Sequence, residues 1–451
     1  MLIKQKFIID FNPRSGKVIE KIKCSSSGEV ASAVKLAKKA HKTWKELALK
    51  NRISKFHKIL KDFKKEKKEI ANLISVETGK TNYFALKEVE DSINLLEKFL
   101  ILSVKTLTNQ KRILNNKVIE VNAEPIGVCA LITGWKNPVK IPLFFLLPNI
   151  LSGNTVIFKP SEFTPICGKR IYEILNRHLP KGVITILQGV EEVSDSLLDS
   201  DIDFIAFSGR VETGKKIQSF AIKKLLPVVS KLYKKDMLLI LKDADLLRAT
   251  QSILENCFLY SVNHFFEFNR IFVQEKISTK IENMIRKEYE KLEFDDVPFI
   301  SDDKRNYVLN QISEVNKKGV KILLGGNKIN SEGYFIKPTI LSEVLNKHQI
   351  NSEGCSGPVV CLQKITKSED LIHKLNSHNL LESVTIWTEN LNNGLKISKK
   401  FRTCKIYINK RSKFQNKSNN LILYSNIMND EEFVKWNKKF TKEKVIIYNN
   451  K

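Results

Sequence analysis

Asn154-Thr155-Val156-Ile157-Phe158-Lys159-Pro160-Ser161-Glu162 decides the fold of this chain. A short apolar strand over 154–158 runs into Lys159 and is stopped by Pro160, and a helix pattern follows over 164–177. At such a turn a dinucleotide-binding protein sets a cation and a carboxylate against the adenosine ribose. The same alternation continues outward. Strand 183–187 precedes helix 191–199, and strand 203–207 precedes helix 211–222. Strands alternating with helices at this spacing predict an α/β protein with a parallel, doubly wound sheet.

Upstream, Asn12-Pro13-Arg14-Ser15-Gly16 reads as the turn of a short strand pair. Val30, Val34, Ala37 and Trp44 line one face of a helix over 29–47. A longer helical region covers 51–104, interrupted near Thr78-Gly79-Lys80, and its many charges read as a solvated face. Residues 117–132 alternate like a strand and run through Pro125-Ile126-Gly127 into a buried segment. Downstream, Leu238-Leu239-Ile240-Leu241 opens a second α/β region that extends to about Asn409. Residues 411–431 are rich in Lys, Asn and Ser and read as a loop. The closing strand, Lys444-Val445-Ile446-Ile447-Tyr448, has no local partner.

A length of 451 residues exceeds one ordinary core and predicts two or more domains. The net charge of +27 raises the question of a polyanionic partner. The lysines, however, are dispersed along the sequence, and Lys, Asn and Ile are abundant together as in AT-rich coding. Arg forks and aromatics of a base-reading surface do not cluster, which weighs against nucleic acid. The seven cysteines stand singly, without metal spacing, as in a reduced compartment. The longest apolar stretch, 141–151, is too short to span a bilayer. A cytoplasmic protein with no membrane partner and no metal is expected.

The ordered motifs resemble those of the NAD(P)-dependent aldehyde dehydrogenase superfamily. They comprise Glu77-Thr78-Gly79-Lys80, Pro125-Ile126-Gly127-Val128, Gly153-Asn154-Thr155, Phe158-Lys159-Pro160-Ser161-Glu162 and Phe207-Ser208-Gly209 with Gly214. Asp243-Ala244-Asp245-Leu246, Arg270 and Gly357-Pro358-Val359 complete the series. Thr213-Gly214 and Asn409-Lys410 are most similar to the succinylglutamic semialdehyde dehydrogenases. The resemblance implies a Rossmann-type NAD-binding domain (1–118 and 134–231), an α/β catalytic-type domain (232–435) and an oligomerisation flap (119–133 and 436–451). The flap pairs a hairpin at 119–133 with the terminal strand, and a homodimer or homotetramer follows. Cofactor contacts fall on Lys159, Ser161, Glu162, Gly209, Arg210 and Gly214. Glu162 disfavours a 2′-phosphate and so favours NAD over NADP. The bland reading of the same corner is a strand exit with Ser161 or Thr164 capping the next helix.

The chemistry the resemblance implies needs a thiolate, an oxyanion donor and a water-activating carboxylate. Counting five residues back from Arg270 places Phe265 at the nucleophile, with Val262 where the loop glycine stands. Lys231 replaces the general-base glutamate, and Tyr233 and Lys234 replace the glycines beside nicotinamide. Lys136 holds the oxyanion asparagine's position, with Asn137 one residue late. Gly354 holds that of the ribose glutamate, with Glu353 out of register. Arg210 replaces the phosphate-turn serine, either to pair with a pyrophosphate or to fill its space. No catalytic residue is assigned, and loss of the covalent route is expected, leaving scaffolding, adenine-nucleotide binding or pairing with an active relative as roles. The alternatives are altered chemistry using Cys257, His264 or Glu267, and a basic nucleic-acid-binding scaffold.

Overall fold

The computed structural model describes residues 6–114, 117–233, 235–255, 268–291, 298–345, 348, 350, 357–376, 381–402, 405–409 and 430–449. The chain forms two compact units, one of 1–12, 18–233 and 422–451, the other of 13–17 and 234–421.

The first unit opens with the antiparallel pair β1 (Phe7–Phe11) and β2 (Val18–Lys23). Helix α1 (Ser27–Trp44) starts at a capping box in which the Ser26 and Glu29 side chains each accept from the other's backbone N–H. It buries Val30, Val34, Ala37 and Trp44, the face the periodicity predicts. The helical region that follows is three helices rather than two. α2 (Leu49–Lys65) meets α3 (Lys67–Thr78) at Glu66, whose backbone (φ −94°, ψ 8°) leaves the helical well without any Gly or Pro to announce it. α3 ends at Gly79, which takes φ +70° as left-handed C-terminal residues do, and α4 (Asn82–Leu107) follows.

β3 (Gln110–Leu114) and β4 (Lys117–Pro125) form the hairpin of a separate three-stranded sheet. The hairpin therefore spans 110–125, not 119–133. Gly127 (φ +143°) is the reason: a Cβ there would fall 2.1 Å from Asp203 Oδ2. Asp203 accepts from Val128 N (2.6 Å), and Asn154 Oδ1 accepts from Gly127 N (2.9 Å), so the chain turns out of one sheet and into another. β5 (Val128–Thr133), buried at every position, is the central strand of a parallel sheet, not part of the flap.

From there α5 (Lys140–Leu151), β6 (Thr155–Lys159), α6 (Pro165–Asn176), β7 (Ile184–Ile186), α7 (Glu191–Asp199), β8 (Phe204–Gly209), α8 (Val211–Lys223) and β9 (Val228–Leu232) alternate as the sequence predicts. The strand order is β7-β6-β5-β8-β9, all parallel. The chain steps outward from β5 to β7, then returns to lay β8 on the other side of β5. The topological switch point therefore lies between the carboxyl ends of β5 and β8, where doubly wound sheets open a ligand crevice.

The second unit carries β10 (Lys235–Ile240), α9 (Leu246–Leu254), β11 (Phe268–Gln274), α10 (Glu275–Tyr289), α11 (Asp302–Lys317), β12 (Lys321–Leu324) and β13 (Thr339–Ser342). β14 (Val359–Ile365), α12 (Ser368–Asn376), β15 (Leu381–Trp387), α13 (Leu391–Ser398) and β16 (Lys405–Ile408) complete it. Its sheet runs β12-β13-β14-β11-β10-β15-β16, parallel except for β12. Asp243 and Asp245 are architectural here. Asp245 caps α9 through Arg248 N (3.1 Å), and Asp243 accepts from Thr388 Oγ1 (2.7 Å) and Asn390 N (3.0 Å).

α14 (Asp430–Lys438) and β17 (Thr441–Asn449) return to the first unit. Trp436 stacks on Phe144 at 4.5 Å, and Phe433 meets Phe99 edge-on at 5.1 Å. β17 runs antiparallel to β4 over 117–125, giving the terminal strand the partner it lacks in the local sequence. No helix among the described residues is long and apolar enough to cross a membrane.

Candidate functional site

The crevice at the switch point is built from the ends of β5, β8 and β9. Gly134 N donates to Ser208 O and Tyr233 N to Gly209 O, both at 2.9 Å, which ties the three strand exits together. The Tyr233 side chain folds back across this edge. A Cβ on Gly134 would stand 2.7 Å from the Tyr233 hydroxyl, so only glycine lets the phenol lie there. Lys136 Nζ sits 6.0 Å from the Tyr233 ring centroid and 5.9 Å from that of Trp135. Lys231 Nζ is 5.9 Å from the Phe144 ring, and the Lys231 carbonyl accepts from Ser208 Oγ (3.1 Å). Two half-buried lysines and a phenol thus border the crevice. No carboxylate stands at either lysine's position to activate a water.

Asn137, one residue after Lys136, is held by a buried network. It is buried with φ +50°, and its amide oxygen accepts from Lys80 Nζ at 2.8 Å. Lys80 in turn pairs with Glu88 Oε2 at 2.6 Å, both fully buried, and Glu88 Oε1 accepts from Val139 N (2.9 Å) and Lys140 N (3.2 Å). Beside them Lys140 pairs with Asp91 at 3.1 Å. Burial pushes the Lys140 ammonium down and the Asp91 carboxyl up, so their attraction does not recover the whole desolvation cost. This network fixes the loop after β5 from beneath. Glu77-Thr78-Gly79-Lys80 marks it in the sequence, but its partner Asn137 lies 57 residues away, beyond any local pattern.

The corner expected to meet adenosine is at the end of β6. Lys159 is buried, with Nζ 3.2 Å from Pro160 O and 3.7 Å from Glu162 Oε2. Burial lowers the ammonium's pKa, and Glu162 offsets part of that. Ser161 Oγ accepts from Phe163 N (3.3 Å) and lies 3.5 Å from Glu162 Oε2. Neither Ser161 nor Thr164 caps α6. Glu77 does so from 89 residues upstream, accepting from Ile166 N (2.6 Å) and Cys167 N (2.8 Å). Glu77 is buried against Asp10. Burial and then Asp10 raise Glu77 well above the usual carboxylate range, and burial lifts Asp10 to about 7.

The remaining cofactor candidates divide by role. A Cβ on Gly209 would fall 2.5 Å from Phe207 Cζ, and one on Gly214 would fall 2.4 Å from Leu232 Cδ2. Gly214 lets α8 pack tightly on β9, the part the last glycine plays in dinucleotide folds, and Gly209 makes room for the Phe207 ring of its own strand. The Arg210 side chain is 68% exposed, with Glu212 at 3.9 Å, so it does not fill a former phosphate space. It remains able to meet one. Phe265, Gly354, Glu353, Cys257, His264, Glu267, Val262, Lys234 and Lys410, with most of 411–431, lie outside the described residues.

Chemically the corner fits one end of a dinucleotide. A buried ammonium and a half-exposed carboxylate supply the donor and acceptor that ribose hydroxyls take. At the other strand ends the Tyr233 phenol lies over Gly134, on backbone that would otherwise be bare.

The aldehyde dehydrogenase family model matches residues 3–421. The mitochondrial aldehyde dehydrogenase of Leishmania tarentolae is 28% identical over 416 residues, covering 89% of this chain and 84% of the relative. The malonate-semialdehyde dehydrogenase of Bacillus cereus is 28% identical over 396 residues, covering 84% and 81%. Among solved structures, an NAD+ complex of aldehyde dehydrogenase from Bacillus cereus superposes with a TM-score of 0.86 at 23% identity, covering 99% of this chain and 94% of that one. The NADP-dependent glyceraldehyde-3-phosphate dehydrogenase of Bacillus halodurans gives 0.87 at 24%, covering 99% and 96%. At these identities the superpositions speak for the fold.

Proposed function

We propose that this chain, which belongs to the aldehyde dehydrogenase family, does not oxidise aldehydes by the covalent route and keeps an adenine-nucleotide corner on an oligomerising scaffold. The observation that carries the reading is Tyr233 laid over Gly134 at the switch point, beside Lys136 and Lys231. A phenol there excludes the ring that would accept hydride. Lys231 carries the wrong charge to activate water. In the sequence, Phe265 offers no nucleophile at the family's position. Losing a thiolate removes the covalent intermediate itself, beyond the several kcal/mol that one stabilising donor supplies.

NAD, held through Lys159, Ser161 and Glu162, is the cofactor this reading retains, as a ligand rather than an oxidant. Glu162 favours a free 2′-hydroxyl. β17 on β4 presents exposed Val445, Ile447 and Tyr448, a surface suited to a homodimer or tetramer. Ancestry nearest the succinylglutamic semialdehyde dehydrogenases rests on Thr213-Gly214 and Asn409-Lys410. Asn409 itself serves architecture, with its amide bonded to Thr388 N and O at 2.9 and 2.6 Å.

The test is steady-state NADH formation with NAD and a panel of semialdehydes that includes succinylglutamic semialdehyde. No absorbance change above the enzyme-free rate is expected. Turnover that disappears in Cys257→Ala would replace this reading with an enzyme of altered chemistry.

A further inference from the structure

We propose that the solvent face of α2 is a docking surface for the phosphate backbone of duplex nucleic acid. Four lysines of this helix share one face. Lys50, Lys58, Lys61 and Lys65 are all exposed, while Arg52, Phe56, Ile59 and Phe63 form the buried face. At 100° per residue the four lysines fall within about 80° of arc, opposite the buried face. At 1.5 Å per residue they span about 22 Å, or about six phosphates of one strand at 3.4 Å each.

The neighbouring charges leave this row uncompensated. Asp62 is taken by His178 (2.8 Å) and Arg177 (3.4 Å). Glu66 is taken by Arg177 (2.5 Å) and Arg170 (3.2 Å), and Glu69 by Arg170 (2.6 Å). These are all the acids between residues 49 and 69, and each is turned toward α6 or the segment after it. Lys64 and Lys67 pair with Glu97 (2.6 Å) and Glu90 (3.7 Å). Among the described residues no acid pairs with Lys50, Lys58, Lys61 or Lys65.

The occupant follows from what the face lacks. None of the large exposed apolar side chains lies on α2, so the face has nothing to insert into a lipid headgroup layer. Lysines without arginine forks or aromatics bind backbone charge and do not read bases. An extended polyanion of regular phosphate spacing matches a straight row of ammonium groups.

The experiment is fluorescence anisotropy of the full chain on a labelled duplex across a salt series. Four released counterions give a slope of about −3.6 in log K against log salt. Lys58→Gln/Lys61→Gln/Lys65→Gln should flatten the slope by about 2.7. Its melting temperature should not change, because the side chains are exposed and unpaired. Lys276→Gln/Lys280→Gln/Lys287→Gln on α10 lowers net charge equally and should leave the slope unchanged. Equal flattening by both triple variants would overturn the proposal, since net charge alone would then explain binding. Absence of duplex binding at low salt, or preferential binding to phosphatidylserine vesicles, would also overturn it.

Discussion

Lys80→Met tests the buried network beneath the crevice. Lys80 and Glu88 side chains are 2% and 3% exposed, with Nζ and Oε2 2.6 Å apart. Methionine fills a similar volume but leaves the Glu88 carboxylate with two backbone donors, Val139 N and Lys140 N, and without its paired ammonium. It also frees the Asn137 amide that Lys80 holds in a left-handed backbone. Breaking a buried pair on one side costs about 3–5 kcal/mol. A deletion of that size should lower the urea midpoint with the slope of the transition unchanged. Glu88→Gln alone should cost a comparable amount by stranding Lys80. The double variant Lys80→Met/Glu88→Gln should recover stability relative to the sum, with a coupling energy of about 1–3 kcal/mol. A Lys80→Met cost below about 1 kcal/mol, the size of an exposed pair, would mean that the buried pair does not support the loop. Strictly additive single variants would mean the same.

Further predictions concern other parts of the first unit. Lys159→Met should abolish the thermal stabilisation by NAD or AMP, measured by differential scanning fluorimetry, and NADP should stabilise the wild type less. Asp10 is a carboxylate raised to about 7 by burial, so its contribution to stability is full below its ordinary value of 3.8 and lost as pH rises through about 7. Urea midpoints should therefore fall between about pH 4 and 7 in the wild type and level off above it, and that fall should be shallower in Asp10→Asn. Gly153→Ala places a Cβ 2.3 Å from Arg52 Nη1 at φ +101°, and should destabilise by about 2 kcal/mol or more in the same assay. Tyr233→Gly should open the crevice and tighten NAD binding by calorimetry, without creating turnover.

Much of the fold is legible because its signals are local. β6 and α6 follow from an apolar run stopped by Pro160, and α7 spans 191–199 as its periodicity predicts. What escapes the sequence depends on distant partners. β4 pairs with β3 and β17, and the departure of β5 into another sheet turns on Gly127 meeting Asp203 across the fold. The cap of α6 comes from Glu77, so the nearby Ser161 and Thr164 mislead. The break at Glu66 carries no Gly or Pro. At the candidate site, counting from family motifs located Lys136, Lys231 and Tyr233. That the Tyr233 phenol lies over Gly134, and that Asn137 is engaged by Lys80, required the backbone geometry of three strand ends. The lysine row of α2 shows the same limit, because only a helix turns spacings of eight, three and four residues into one face.

Loss of the covalent route can be read by intact-mass spectrometry after incubation with p-nitrophenyl acetate, with and without NAD. A family thiolate forms an acyl-enzyme with this ester before any hydride step. No stoichiometric acetyl-cysteine whose formation NAD accelerates is expected, because Phe265 cannot be acylated and, among the described residues, Cys24, Cys129, Cys167 and Cys361 are buried. A stoichiometric acetyl adduct on one cysteine, formed faster with NAD, would contradict it.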